Sequence, residues 1–429
     1  MARADVRVLA AGILALAALA APASAAGGEA AALIASEEPG WPQWRGPRRD
    51  GISEEKGLLQ AWLAGGPRLL WTASGLGAGW SSPIITRGAI YITGDIGPDL
   101  CVFALDMDGK LTWRSKNGTA WKGSYQGARA CCAYSEGHVY HSNAHGRVAC
   151  LEAATGREVW AVNVLERFAG QNLTWAVSEC LLVDGQRVIV TPGGRKAFVA
   201  TLDKKSGETA WAGEPLPNSD AEPVGYSSPI LFKLGSRRLL AALSVRSVVC
   251  VDADTGKIQW TFPKKTRYDA NCATPVLCGD SIFHTNPSGS GCVLLRLIPG
   301  EGRAGFEKTW EGRMDNISGG AIARDGCIYG SGHLNTGWVC IDAQTGQERW
   351  QSQELAQGSL IYADGRMYWL SEQGVMALVK ASPQAFEVAG RFEFARGRRD
   401  VWAHPVLLDG RLYLRYHDKL YCYDVRQPR

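Results

Sequence analysis

The chain has 429 residues, 46% hydrophobic and 21% charged, with 51 glycines and 16 tryptophans, a mix that excludes disorder over most of its length and exceeds the turn and indole content of a helical enzyme. Its 46 basic and 42 acidic residues leave a formal charge of +4 with no run of like charge, so the footprint of a nucleic-acid binder is absent.

The first 25 residues read as an export signal. Arg3 and Arg7 flank the start of an apolar stretch from Val8 to Ala21, and Ala23-Ser24-Ala25 supplies the small residues that cleavage needs. That stretch is shorter than the roughly 20 apolar residues of a membrane span. A periplasmic or cell-surface monomer without a membrane span in its mature chain is expected. Residues 26–61 then form a linker and an extended arm, because Trp41-Pro42-Gln43-Trp44-Arg45-Gly46-Pro47 cannot continue a helix. Trp41 and Trp44 are expected to anchor the arm on the folded body by burying their rings.

From Leu70 onward the chain repeats. Cys250-Val251-Asp252-Ala253-Asp254-Thr255-Gly256, closed by Trp260, returns as Cys340-Ile341-Asp342-Ala343-Gln344-Thr345-Gly346, closed by Trp350. Tryptophans at 71, 113, 160, 211, 260, 310 and 350 stand 40 to 51 residues apart, the size of one propeller blade. Each unit reads as four short strands, the first unit placing them at 81–85, 88–92, 101–105 and 111–113. The Asp-x-x-Thr-Gly element is a tight turn, since Asp accepts from nearby backbone and Gly takes positive φ at no steric cost. Eight inner-strand starts, near Ser81, Cys131, Val177, Ser227, Ala273, Ser318, Gly358 and Ala403, predict an all-β, eight-bladed propeller over residues 62–429. The last unit has three strands, and the orphan strand ending at Trp71 supplies its fourth, closing the ring and removing exposed edges. In the seventh unit, the segment 385–394 offers phenylalanine where tryptophan is expected.

The element running from Cys250 to Trp260 and from Cys340 to Trp350 resembles the tryptophan-docking repeat of pyrroloquinoline-quinone (PQQ) propellers. That superfamily holds the quinoprotein alcohol dehydrogenases and the PQQ-free lipoprotein of the outer-membrane barrel-assembly complex. The Trp-Pro-Gln-Trp-Arg-Gly-Pro segment with Arg49-Asp50-Gly51 is similar to secreted PQQ-like propellers of planctomycete-type bacteria. The repeat speaks for the fold and little for the function.

Candidate chemistry gathers at the inner-strand entrances, which face the central funnel. Cys150, Cys250, Cys340 and Cys422 share one repeat position in alternate blades, too far apart for bridging, and read as small buried hydrophobes. Cys180, Cys278 and Cys327 have no assignable partner. Cys131-Cys132 differs, because the resemblance to quinoprotein dehydrogenases implies an adjacent pair oxidised to a ring that packs on the quinone. The same resemblance implies calcium held by Glu179 and Asn271, and Asp269 or Asp315 as the base that removes the hydroxyl proton. None of these aligns with the dehydrogenases' own ligand or base motifs, and the long insertions that build their cofactor chamber are missing. The funnel mouth also offers Trp80, Arg129, Trp175, Tyr226, Asn316, Trp402 and His404. His138, His141 and His145 lack metal-ligand spacing, and Thr191–Lys196 lacks the strand-to-helix setting of a phosphate loop. Two functions follow as expectations: a binding or scaffold module for a peptide or small ligand at the mouth, or a PQQ- and calcium-dependent alcohol or sugar dehydrogenase.

Overall fold

A computed structural model describes Met1 and residues 30–33, 37–220, 222–395 and 400–428. Apart from Met1, the segment read as an export signal lies outside the described residues. No helix among them is long and apolar enough to cross a membrane.

The described chain is nearly all-β, with one short helix at Val164–Phe168. Eight sheets, each with four antiparallel blade strands, follow one another in chain order. The four strands of each blade are lettered A to D from the channel outward. The A strands are Ile84–Thr86, Ala133–Ser135, Leu182–Asp184, Ile230–Leu234, Val276–Cys278, Ile322–Arg324, Gly358–Ala363 and Val406–Leu408, for blades 1 to 8. They are short and largely buried, whereas D strands such as Leu111–Thr119 alternate toward solvent. In the last blade Arg68–Ala73 pairs antiparallel with Lys419–Asp424, so the first blade strand of the chain closes the ring.

The repeat is a device for holding one blade to the next. In the turn after strand C, Asp252 Oδ1 accepts from the Thr255 amide at 2.9 Å and its hydroxyl at 2.7 Å, and Asp342 does the same with Thr345. The closing glycine then takes φ near +74° and leaves room for the preceding blade's tryptophan: a Cβ on Gly346 would stand 2.7 Å from the Trp310 ring. The indole N–H donates into the same turn. Trp71 reaches Met107 O, Trp113 reaches Ala153 O, Trp160 reaches Lys204 O, Trp310 reaches Ala343 O and Trp350 reaches Ser382 O, all at 2.8–3.1 Å. Each contact buries an aromatic ring and satisfies its polar edge.

Blade 7 corrects the reading of its aromatic. Register places Gly390, not a phenylalanine, opposite Leu378, where the other blades carry tryptophan, as in Cys340 opposite Trp350. The space is filled by Trp62 from the N-terminal segment: a Cβ on Gly390 would lie 2.6 Å from Trp62 Cβ. Trp62 donates its amide to Ala389 O at 3.0 Å and packs edge-on against Phe392 and Tyr368.

The arm enters the central channel from the face of the A–B turns. Ala30–Ala32 adds an antiparallel strand to blade 4, Ile52–Ser53 adds a parallel one to blade 7, and Trp41 bridges to Ile85 of blade 1. Pro42 O accepts from Tyr134 N of blade 2. Arg49 donates to Cys180 O and Leu181 O of blade 3, Trp44 to Thr274 Oγ1 before blade 5, and Arg45 to Ala321 O of blade 6. Glu55 accepts from Asp409 N and Gly410 N in the A–B turn of blade 8. One extended segment therefore touches the inner wall of every blade.

Candidate functional site

Two structures form around the inner-strand entrances. The first is a relay of hydrogen bonds from blade to blade at the entrance of the A strands. His404 N donates to Ser82 Oγ, Ser82 N to Cys131 Sγ, Cys131 N to Cys180 Sγ and Cys180 N to Ser228 Oγ, at 2.7, 3.1, 3.2 and 2.9 Å. This station needs a small side chain with an acceptor atom, which both Ser and Cys supply. Cys131 and Cys132 are both buried thiols, and Cys180 has a neighbour in Cys131 that sequence spacing did not assign.

The second is an aromatic rim on the opposite face from the A–B turns. Trp80 lies 5.0 Å from Trp402, ring to ring, and Tyr125 meets Trp402 edge-on at 5.4 Å. Tyr125 is 56% exposed, and Trp80 and Trp402 are half-buried. His417 flanks Trp80 at 5.8 Å. A second pair, Trp175 with Tyr226 at 5.4 Å, sits on the loops entering blades 3 and 4. Trp121, Tyr125 and His417 were not among the residues that sequence reasoning selected. Their signal was a run of aromatic and polar residues in the long loop between blades 1 and 2, and the B–C hairpin tip in blade 8.

Arg129 is sandwiched between Trp80 and Trp121 at 5.6 and 5.8 Å, and its guanidinium donates to Gly127 O, Ser124 O and Tyr125 O. It organises the loop that carries Tyr125. Burial lowers its pKa to about 10 against the pull of Asp95, and burial raises Asp95 to about 6 against Arg129 and Arg415. Asp269 is gripped by both prongs of Arg246, at 3.1 and 2.7 Å, and this ion pair holds its carboxyl below the usual range. Asp315 is fully buried and accepts from the amides of Gly289, His333, Leu334 and Asn335 at 2.8–3.1 Å. Asn316 beside it spans Ser331 O and Gly320 N. Neither carboxylate is poised for proton abstraction: one is ion-paired, the other caps a turn.

Glu179 accepts from the Thr191 hydroxyl at 2.6 Å and amide at 2.9 Å, and burial raises its pKa to about 7 despite those bonds and Arg49. Asn271 donates to Ser244 O and Lys264 O, and its buried Oδ1 has no partner. As a calcium donor set the two do not converge. They belong to blade 3 and to the loop before blade 5, Glu179 spends both oxygens on Thr191 beside a guanidinium, and no group of three His, Cys, Asp or Glu side chains gathers among the described residues. His404 faces the arm: its ring lies 4.4 Å from Trp44, and Nε2 donates to Ser318 O at 2.7 Å. Burial, with Arg45 nearby, lowers its pKa to about 3, so it is neutral.

A groove of about 1080 Å³ lies elsewhere, between blades 5 and 6 on the A–B turn face. Arg349 with Asp342 and Arg324 with Asp325 pair their charges within it, and no residue of the relay or the aromatic rim lines it.

The family model described as outer membrane protein assembly factor BamB matches residues 98–352, more than half of the chain. The dehydrogenase subunit of the quinone-dependent alcohol dehydrogenase of Gluconacetobacter polyoxogenes is 30% identical over 161 residues, covering 35% of this chain and 22% of that protein. BamB of Yersinia pestis is 22% identical over 264 residues, covering 57% of this chain and 61% of its own. The chain thus spans about a fifth of the alcohol dehydrogenase subunits it matches. Among solved structures, the quinohemoprotein alcohol dehydrogenase of Comamonas testosteroni superposes with a TM-score of 0.62 at 14% identity, covering 92% of this chain and 82% of that one. BamB of Moraxella catarrhalis gives 0.58 at 15%, covering 84% and 98%. At these identities the likeness shows the fold.

Proposed function

The chain belongs to the family of the outer membrane protein assembly factor BamB, a family of PQQ-like propellers, and from that premise we propose that it works as a binding module with its ligand site at the funnel mouth. One observation carries this reading: the aromatic shelf of Trp80, Tyr125 and Trp402 stands on the face opposite the A–B turns with Tyr125 exposed, accessible to a ligand. Rings already held by their neighbours lose little entropy on binding and bury a large area. The ligand class that suits them is an extended peptide or a small molecule with a flat apolar face. Export, expected from residues 1–25, would deliver the module outside the cytoplasm.

The second reading is a PQQ- and calcium-dependent dehydrogenase. The 30% identity over 161 residues to a quinone-dependent alcohol dehydrogenase subunit speaks for it, and the donor set speaks against it, since Glu179, Asp269 and Asp315 are all committed to internal partners. One experiment separates the two. Protein is applied to arrays of immobilised extended peptides and glycans, and Tyr125→Ala/Trp402→Ala is compared with Leu111→Ala on an outer strand. The binding reading expects the rim variant to lose about tenfold or more in affinity and the outer variant to match the parent. Calcium-dependent uptake of one equivalent of PQQ, with alcohol-dependent reduction of a dye, would overturn it.

A further inference from the structure

The blade-to-blade relay contains one pair of stations that differs from the rest. Ser82 and Ser228 show that a hydroxyl satisfies the amide from the neighbouring blade. Blades 2 and 3, which are adjacent, both carry sulfur there instead, as Cys131 and Cys180. Cys180 Sγ lies 3.2 Å from Cys131 N, in contact with the backbone that carries the Cys131 thiol. We propose that Cys131 and Cys180 form a disulfide that ties the inner strands of blades 2 and 3 together across the channel wall. This goes beyond the binding reading and does not depend on it.

The competitor is Cys132. Successive side chains of an extended segment point to opposite faces, and closing a ring between neighbours requires backbone distortion. Neither Cys131 nor Cys132 is among the positive-φ residues. The folded chain then covers the pair. The Arg49 guanidinium donates to Cys180 O, and fully buried Arg415 donates to Ser81 O, next to the residue whose amide meets Cys131. Burial pushes the Cys180 thiol up, but the hydrogen bonds from Cys131 and the charge of Arg49 outweigh it and hold this thiol below its usual range, while Cys131 is driven up by burial and by its neighbour.

The chemistry balances with a disulfide-bearing oxidant, such as an oxidised protein dithiol or oxidised glutathione. Cys180, losing its proton to solvent, attacks one sulfur of the oxidant and releases the other as a thiolate, which takes up a proton. Cys131, losing its proton to solvent, then attacks the Cys180 sulfur of the mixed disulfide and releases the oxidant's second sulfur in the same way. Two electrons and two protons leave the protein, and one disulfide is exchanged for another. Both thiols are buried beneath Arg49, so the exchange precedes seating of the arm.

Cleavage after arginine isolates the residues cleanly: peptide 130–147 holds Cys131 and Cys132, and peptide 168–187 holds Cys180. The full chain is refolded with or without oxidised glutathione, quenched in acid, denatured, alkylated and mapped without reduction. The expected result is a cross-link between these peptides that appears only with oxidant, survives Cys132→Ser and disappears in Cys180→Ser. Oxidation should also raise the parent's melting temperature by several degrees, since the bond closes a loop of about 50 residues, and leave Cys180→Ser unmoved. Peptide 130–147 found two hydrogens light and unlinked, or all three thiols alkylated after oxidant, would overturn the proposal.

Discussion

The turn glycines concentrate the most consequence in the fewest atoms. Gly346 combines φ of +74° with a tryptophan ring against its missing side chain, so alanine there meets both backbone strain and overpacking. Gly346→Ala is expected to cost about 2–4 kcal/mol, read as a lower denaturant midpoint at unchanged slope. Gly326, with the same φ and nothing near its missing Cβ, should lose only the strain part, about 1 kcal/mol. The pattern Asp-x-x-Thr-Gly was legible because its chemistry is local. The roles of Asp269 and Asp315 were not, because Arg246 and the amides of residues 333–335 reach them only after folding. A carboxylate at a strand entrance looks the same in sequence whether it awaits a proton or caps a turn.

The segment that gained most from folding is the arm. Its aromatic residues were readable as anchors, but neither the channel as their destination nor Trp62 as the filler of blade 7 was, since no period links residue 62 to residue 390. Trp62→Ala is expected to cost about 3–5 kcal/mol, while the neighbouring Leu63→Ala, 86% exposed, should change stability by about 0.5 kcal/mol or less; chemical denaturation of the two variants checks the contrast. Arg45, 2% exposed, holds the carbonyls of Arg49, Asp50 and Ala321 with one guanidinium. Arg45→Ala leaves these acceptors buried and unpaired, and about 3 kcal/mol or more should be lost. Hydrogen exchange should then show the amides of Trp41 and Tyr362, which bond between arm and A strands, exchanging faster than those of the outer strands.

At the scale of the whole molecule, buried titratable groups set how the ring responds to pH. His141, His284 and His404 are depressed to about 4, 3 and 3, chiefly by burial. Their folded forms bind protons less readily than the unfolded chain, so the stability they contribute is fully present above about pH 6.5 and is lost as pH falls toward 4. Glu179 works in the opposite sense. Raised by burial to about 7 from 4.5, it favours the folded state most below 4.5, and that contribution declines as pH climbs to 7. Asp95, raised by burial to about 6, acts in the same sense as Glu179, and three imidazoles outweigh two carboxyls between pH 4.5 and 6.5, so melting temperature should rise across that window. Glu179→Gln should steepen the rise and lift stability at pH 8; a melting curve unchanged by that substitution would contradict the assignment.

The number of blades, the tight turns and the closure of the ring by the strand before Trp71 were determined by the sequence itself. Each blade is built from contacts within about 50 residues, and alternation and turn chemistry repeat in register with them. What occupies the channel, which acids are already spent and which thiols meet were decided only by tertiary structure. His404 shows why: its place at an inner-strand entrance was readable, but Trp44, which covers it, is 360 positions away and carries no periodic trace of that contact. Repetition writes the walls of a propeller into its sequence, whereas the centre is a single meeting of all eight blades.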